Sequence, residues 1–283
     1  MTKTIDTLVE DINAVIRGLG GWDEVIANSM AKNIAEMATS RFEKPQEPRA
    51  YLSLSSIGTP CDRKLWYKVN QSESSEPLPA NALLKFFFGD LIEELVLSLA
   101  EAAGHTVEGK QTRLNVHGIK GSRDAVIDGV TIDVKSASPM SFQKFKKGDL
   151  VSDDPFGYIS QLSSYVYAGQ DDPLVVDKER GGFLVVDKVN GHLHLDVYDF
   201  SNQFETKQQE MERAKAVVAG QLPERTFEPV PQSKTSPNMK LPMMCSYCDF
   251  KKTCWPNLRS FAYSGGPVHL VDVVNEPDVP EIT

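Results

Sequence analysis

Residues 121–135 read Gly-Ser-Arg-Asp-Ala-Val-Ile-Asp-Gly-Val-Thr-Ile-Asp-Val-Lys, and this run constrains the chain more than any other. Asp128-Gly129 is a tight-hairpin signal, because the favoured two-residue turn needs positive φ at both central positions. It joins two apolar runs of strand length, 124–127 and 130–135. Side chains alternate across a strand, so Asp133 and Lys135 share one face while Ile132 and Val134 enter the core on the other. Asp124 lies on the partner strand. A charged pair on a central strand is costly to desolvate unless it is paired or binds an ion. Most Asp-x-Lys triplets are solvated strand faces, so this one gains meaning only from its surroundings.

Upstream, Ile5, Leu8, Ile12, Val15 and Ile16 recur at helical spacing until Gly18, Gly20 and Gly21 break the chain. Asp23 caps a second helix carrying Val25, Ile26, Met30, Ile34 and Met37. Residues 1–50 are thus a helical extension with no chemistry of its own. Residues 69–81 are polar and predict a loop. A helix over 82–103, closed by Gly104, follows. A strand at 112–116 precedes the hairpin. Beyond it come a helix at 158–168, strands at 182–189 and 192–198 around Asn190-Gly191, and a helix at 202–219 ended by Gly220. This order predicts an α/β fold with a central mixed sheet flanked by helices. The main domain is expected over 51–262. Residues 263–283, with Asp272, Glu276, Asp278 and Glu281, are expected to form a disordered acidic tail.

The 283 residues, 41% hydrophobic and 24% charged, suffice for one large globular domain with extensions. A net charge of −9 counts against non-specific coating of nucleic acid. It leaves room for a local basic channel, since the local field steers a substrate. No apolar run approaches the ~18 residues of a membrane span, and the first ten residues lack a signal pattern. The expectation is a soluble protein of the bacterial or phage-infected host cytoplasm with no membrane partner.

Two carboxylates from adjacent strands, Asp124 and Asp133, make a hard oxygen site suited to Mg²⁺ or Mn²⁺. Such a site can lower the pKa of bound water and neutralise charge on a phosphate oxygen. Lys135 is placed to orient the attacking water or to stabilise the transition state. Glu93, on the long preceding helix, offers a third carboxylate. Gln161 and Tyr165 are four residues apart and share a helix face.

The chain has four cysteines. Three of them, Cys245, Cys248 and Cys254, fall within ten residues, and Cys61 lies far upstream. Disulfides are kept reduced in the cytosol, and this crowding reads as metal ligation. Four thiolates suit either Zn²⁺ or a [4Fe–4S] cluster, although structural zinc usually pairs two close doublets. Lys144, Lys146 and Lys147, beside Phe142 and Phe145, form either a grip on the phosphate backbone or a solvated helix face. The span from Lys240 to Arg259 carries four basic residues and one acidic residue, a second candidate basic surface.

Together these residues resemble the RecB-like branch of the PD-(D/E)XK nucleases. Its four motifs correspond here to Gly89 with Glu93, Gly121 with Asp124, Asp133 with Lys135, and Gln161 with Tyr165, in the family's order. Many members carry histidine where Glu93 stands; glutamate is still a hard ligand, and Glu94 is the neighbouring alternative. The cysteine layout resembles the iron–sulfur staple of RecB-like enzymes, including AddB-type subunits and CRISPR-associated RecB-like enzymes. There, one cysteine precedes the nuclease core and three follow it. Cys61-Asp-Arg-Lys-Leu-Trp-Tyr67 is similar to their first-cysteine segment, with Arg63 and Tyr67 in matching places. The resemblance covers residues 53–256.

The resemblance implies a restriction-endonuclease-like core and hydrolysis of DNA phosphodiesters, usually exonucleolytic, in recombination, repair or replication. It implies Mg²⁺ or Mn²⁺ on Glu93, Asp124 and Asp133. Lys135, Gln161 and Tyr165 complete the catalytic set. A [4Fe–4S] cluster would sit on the four cysteines, with Zn²⁺ as the alternative. DNA ends or single strands are the partners, contacted by Arg63, Tyr67 and the three lysines. The chain has no Walker motif, so a helicase, recombinase or single-strand-binding protein would be separate. The rival is a non-catalytic iron–sulfur DNA-end-binding protein of the same fold, against which the intact Asp-Asp-Lys set argues.

Overall fold

The computed structural model describes residues 3–45 and 47–282. Its helices are α1 (Leu8–Ile16), α2 (Glu24–Phe42), α3 (Asp62–Asn70), α4 (Ala80–Ala102), α5 (Pro139–Lys147), α6 (Tyr158–Ala168), α7 (Phe204–Ala219), α8 (Met243–Ser246) and α9 (Lys251–Cys254). Its strands are β1 (Val107–Glu108), β2 (Thr112–Val116), β3 (Ile119–Arg123), β4 (Ala125–Ile127), β5 (Val130–Ala137), β6 (Arg180–Asp187), β7 (Leu193–Asp199), β8 (Val230–Pro231), β9 (Met239–Lys240), β10 (Arg259–Tyr263), β11 (Gly266–Asp272) and β12 (Glu281–Ile282). The described residues divide into two compact units: those within 1–47, 53–58 and 79–212, and those within 48–52, 59–78 and 213–283. The expectation was a helical extension over 1–50, one main domain over 51–262 and a tail. Among the described residues, no helix is long and apolar enough to cross a membrane.

The first unit is α/β. Its five-stranded sheet runs β1-β4-β5-β6-β7, with β5 and β6 parallel and every other pair antiparallel. The expected hairpin forms, with Asp128 at φ 49° and Gly129 at φ 79° and Ile127 opposite Val130. One face of the sheet packs Ile127, Ile132 and Leu184 against Val96, Leu97 and Ala100 of α4. Ile5, Leu8 and Ile12 are buried in that same cluster. The N-terminal segment is therefore part of the core rather than an extension of it. The other face packs Phe183 and Val185 against Phe142 and Phe145 of α5 and Leu162 and Val166 of α6.

β2 and β3 form a separate two-stranded ribbon, turned at His117 and Gly118, both at positive φ. A Cβ at Gly121 of β3 would come within 2.6 Å of Leu54 Cδ1, so only glycine lets the ribbon close on that side chain. Asp124 falls in the break between β3 and β4, one residue before the strand expected to carry it.

The second unit carries a five-stranded antiparallel sheet in the order β12-β10-β11-β9-β8, with Phe261 and Leu270 buried. This overturns the disordered tail: β11 and β12 lie within it. Arg259 binds both Glu276 (2.6 Å) and Glu281 (2.6 Å), folding the acidic residues back. Exposed ion pairs add little stability. Strand pairing and the burial of Phe261 and Leu270 hold the segment.

Candidate active site

Four elements of the first unit converge on Asp133. Strand alternation on β5 turns Asp133 and Lys135 away from the Ile132 and Val134 core and toward α6. Asp133 is 1% exposed, and its Oδ2 lies 2.5 Å from Lys135 Nζ. Among the described residues, that ammonium is the one partner of the buried Oδ2. Gln161 of α6 ties the group together: its Nε2 donates to Asp133 Oδ1 (3.4 Å) and to Tyr165 Oη (3.0 Å), and its Oε1 accepts from Lys135 Nζ (3.5 Å). The break before β4 lets Asp124 turn inward, where its Oδ2 accepts from Val134 N at 2.8 Å. Glu93 comes from α4 and reaches Asp124 through Gln111, whose Nε2 donates to Glu93 Oε1 (2.5 Å) and to Asp124 Oδ1 (3.5 Å).

The charges oppose one another. Burial, then the nearby Asp133 and Glu93 carboxylates, hold the Asp124 carboxyl well above the usual range. Burial pushes Glu93 up to about 7, with Asp133 and Asp90 adding to the rise against the Gln111 hydrogen bond. Asp133 is raised by burial despite Lys135. Lys135 keeps its proton tightly: burial disfavours the charge, but Asp133 and then Asp124 outweigh it. Burial and Asp133 push Tyr165 up to about 12. Three mutually repelling carboxylates against one lysine form an oxygen donor set short of positive charge, which a hard divalent cation fits. Among the described residues, no group of three or more His, Cys, Asp or Glu side chains already stands in a geometry that could hold a metal ion.

Glu93, not Glu94, faces this cluster. Glu94 is buried and taken up by Asn33 Nδ2 (2.8 Å) and Ser98 Oγ (3.3 Å). Sequence reasoning missed Gln111 and Tyr158. The Tyr158 ring lies 5.0 Å from Lys135 Nζ. Tyr158 precedes Gln161 by three positions on one helix face, a signal that was legible; Gln111 had none.

Several expected DNA contacts are engaged internally. Tyr67 is 4% exposed and stacks on Phe250 at 5.6 Å, so its ring is closed to a nucleobase. Arg63 donates to Pro223 O (2.7 Å) and to Tyr67 Oη (3.2 Å). Lys144 pairs with Asp153 at 2.5 Å, while Lys146 and Lys147 end α5 on exposed positions. Lys251 and Lys252 both pair with Glu76, which reduces the second basic surface.

The second unit gathers the cysteines. All four are free thiols, each half-buried. Cys61 precedes α3, Cys245 lies in α8, and Cys254 ends α9. Burial and then the neighbouring Cys248, Cys61 and Cys254 push the Cys245 thiol up to about 12. Burial also raises Cys248. Lys64 acts in the other direction on both, so one cation favours the thiolate forms. Arg225 stacks 4.1 Å over Trp255 and donates to Cys254 O (2.7 Å), fixing that loop.

No family model and no curated protein matches the chain. Among solved structures it is similar to SSO0001, with 15% identity and a TM-score of 0.41 over 79% of this chain and 95% of that one. It is similar to LHK-Exo in complex with dAMP, with 12% identity and a TM-score of 0.37 over 65% of this chain and 94% of that one. It is also similar to a phage-related exonuclease from Haemophilus somnus 129PT, with 13% identity and a TM-score of 0.37 over 64% and 95%. Likenesses this distant assign no family.

Proposed function

We propose that the chain is a Mg²⁺- or Mn²⁺-dependent DNA nuclease of the RecB-like PD-(D/E)XK kind, acting on DNA ends or single strands in recombination, repair or replication. One observation carries this reading: Asp133 is buried against Lys135, and Asp124 and Glu93 add repelling charge that this single ammonium leaves uncompensated. Buried titratable groups that oppose one another gather at sites that do chemistry or bind a cation. Glu93, Asp124 and Asp133 would hold the ion. Bound there, it would lower the pKa of a water and neutralise charge on the scissile phosphate.

The side chains set the rest of the chemistry. In the metal-free site Asp133 and then Asp124 hold the Lys135 proton against burial, which suits it to act as a positive charge. It would stabilise the negative charge that builds on the phosphoryl oxygens in the transition state. Gln161 accepts from Lys135 while donating to Asp133 and Tyr165, which fixes the direction of the ammonium and the carboxylate. Tyr165 remains a neutral phenol, a hydrogen-bonding post for Gln161.

In the second unit the four cysteines would hold a [4Fe–4S] cluster, with Zn²⁺ as the alternative. Ligation free energy would then be folding free energy for the segments around α3, α8 and α9. Lys146 and Lys147 remain as backbone contacts.

Incubation with Mn²⁺ and end-labelled linear or circular DNA tests the reading. Shortening of the linear strand from an end, with the circle intact, is the expected outcome. Cleavage of both would make the enzyme an endonuclease. Binding of ends without cleavage would establish the non-catalytic rival.

A further inference from the structure

The Gln111 side chain bridges two of the three carboxylates assigned above as ligands. Its Nε2 is 2.5 Å from Glu93 Oε1 and 3.5 Å from Asp124 Oδ1. Its Oε1 accepts from Ser122 Oγ at 3.0 Å. Its backbone N–H donates to Asp124 O at 3.0 Å, and its φ is 52°, in the left-handed region. The backbone is thus pinned to the residue that carries one carboxylate, while the exposed side chain spans to the other.

An amide nitrogen carries two donors and no net charge. Set between two carboxylates, it supplies part of what a cation would supply. A small dication prefers carboxylate oxygens at about 2.0–2.1 Å. An ion bridging Glu93 and Asp124 would claim the volume that Nε2 fills, and the oxygens would then close inward. Among the described residues, Ser122 Oγ, Glu93 and Asp124 hold the amide, so a swing toward solvent breaks these hydrogen bonds.

We propose that Gln111 is a placeholder for the divalent cation: its amide bridges Glu93 and Asp124 in the metal-free protein and leaves when the ion enters. This rests on the metal-dependent reading above. Gln111 is a positioning residue, and its effect is on ion affinity.

Mn²⁺ binding by titration calorimetry at pH 8.5, where protons compete little for Glu93, tests the proposal on the full chain. Gln111→Asn shortens the reach by one methylene, and asparagine tolerates the left-handed backbone. It removes the competing bridge, so Mn²⁺ should bind about tenfold more tightly, the equivalent of one charge-assisted hydrogen bond. Ser122→Ala, which frees the far end of the amide, should tighten binding by a smaller factor. Asp133→Ala should abolish binding. Metal-free Gln111→Asn should also melt earlier than the parent; a merely structural glutamine would show that loss without the tighter binding. Unchanged or weaker Mn²⁺ binding by Gln111→Asn, with parent binding still abolished by Asp133→Ala, would overturn the placeholder and leave the metal site standing. Absence of Asp133-dependent binding in every variant would overturn both.

Discussion

Asp124→Asn separates the electrostatics of the site from its packing. Asparagine is nearly isosteric, and its carbonyl oxygen can still accept from Val134 N, as Asp124 Oδ2 does at 2.8 Å. What is lost is a buried charge facing Glu93 and Asp133. Glu93 Oε1 and Asp124 Oδ1 share one donor, at 2.5 and 3.5 Å. These two arms place the oxygens at most about 6 Å apart, and two charges at that limit and an effective dielectric of about 20 repel by ~3 kcal/mol. Lys135 also attracts Asp124, and Glu93 is partly open to solvent, so the net gain on removing the charge is about 1–3 kcal/mol. For a unit of this size each kcal/mol moves Tm by about 2–4 °C.

The sign with pH follows from linkage. A carboxyl whose folded pKa is raised takes up protons on folding between its unfolded and folded values, so stability falls as pH rises through that window. For Glu93 the window runs from its ordinary value of 4.5 to about 7. Asp124, also raised by burial and by Asp133, adds its own part in the same direction. Thermal unfolding in EDTA should therefore show Asp124→Asn melting about 2–12 °C above the parent at pH 8, with the gap shrinking at pH 5. Excess Mn²⁺ should reverse the order, because only the parent keeps the ligand set; ion at a thousandfold excess over Kd adds about 4.1 kcal/mol. Destabilisation by Asp124→Asn in EDTA at pH 8, or a gap that ignores pH, would refute the reasoning.

Lys135→Met should lower cleavage by about 10²–10³-fold while Mn²⁺ affinity persists, since the ligands remain; single-turnover kinetics with calorimetry would separate the two. Tyr165→Phe removes one hydrogen-bond partner of Gln161 and should lower the turnover number by about tenfold with little change in KM. Cys248→Ser should remove bound iron, acid-labile sulfide and visible absorbance from anaerobically purified protein and lower the Tm of the second unit. Colourless parent protein with one zinc would favour the alternative metal.

The site was legible where periodicity controls geometry. Two-residue spacing put Asp133 and Lys135 on one face, four-residue spacing put Gln161 beside Tyr165, and Asp128-Gly129 announced the hairpin that brings Asp124 alongside. Choice between Glu93 and Glu94 needed tertiary partners, because Asn33, which claims Glu94, lies 61 positions away. Gln111 was hidden for the same reason: its role depends on two carboxylates from other elements. Tyr67 matched a motif yet is buried against Phe250, a contact no local pattern shows. The tail misled because four acidic residues outweighed the apolar alternation that pairs Phe261 with Val268 across β10 and β11. Ile5, Leu8 and Ile12 read as a helix, but their place in the sheet's core follows only from packing.

Cleavage of 5′-labelled single- and double-stranded DNA by the parent and by Asp133→Ala, with Mn²⁺ and with EDTA, is the most direct test. The parent should cut with Mn²⁺ and not with EDTA, and Asp133→Ala should not cut in either. Cleavage that survives Asp133→Ala or EDTA, or an inert parent, would contradict the assignment of the Glu93, Asp124 and Asp133 cluster as a metal-dependent nuclease site.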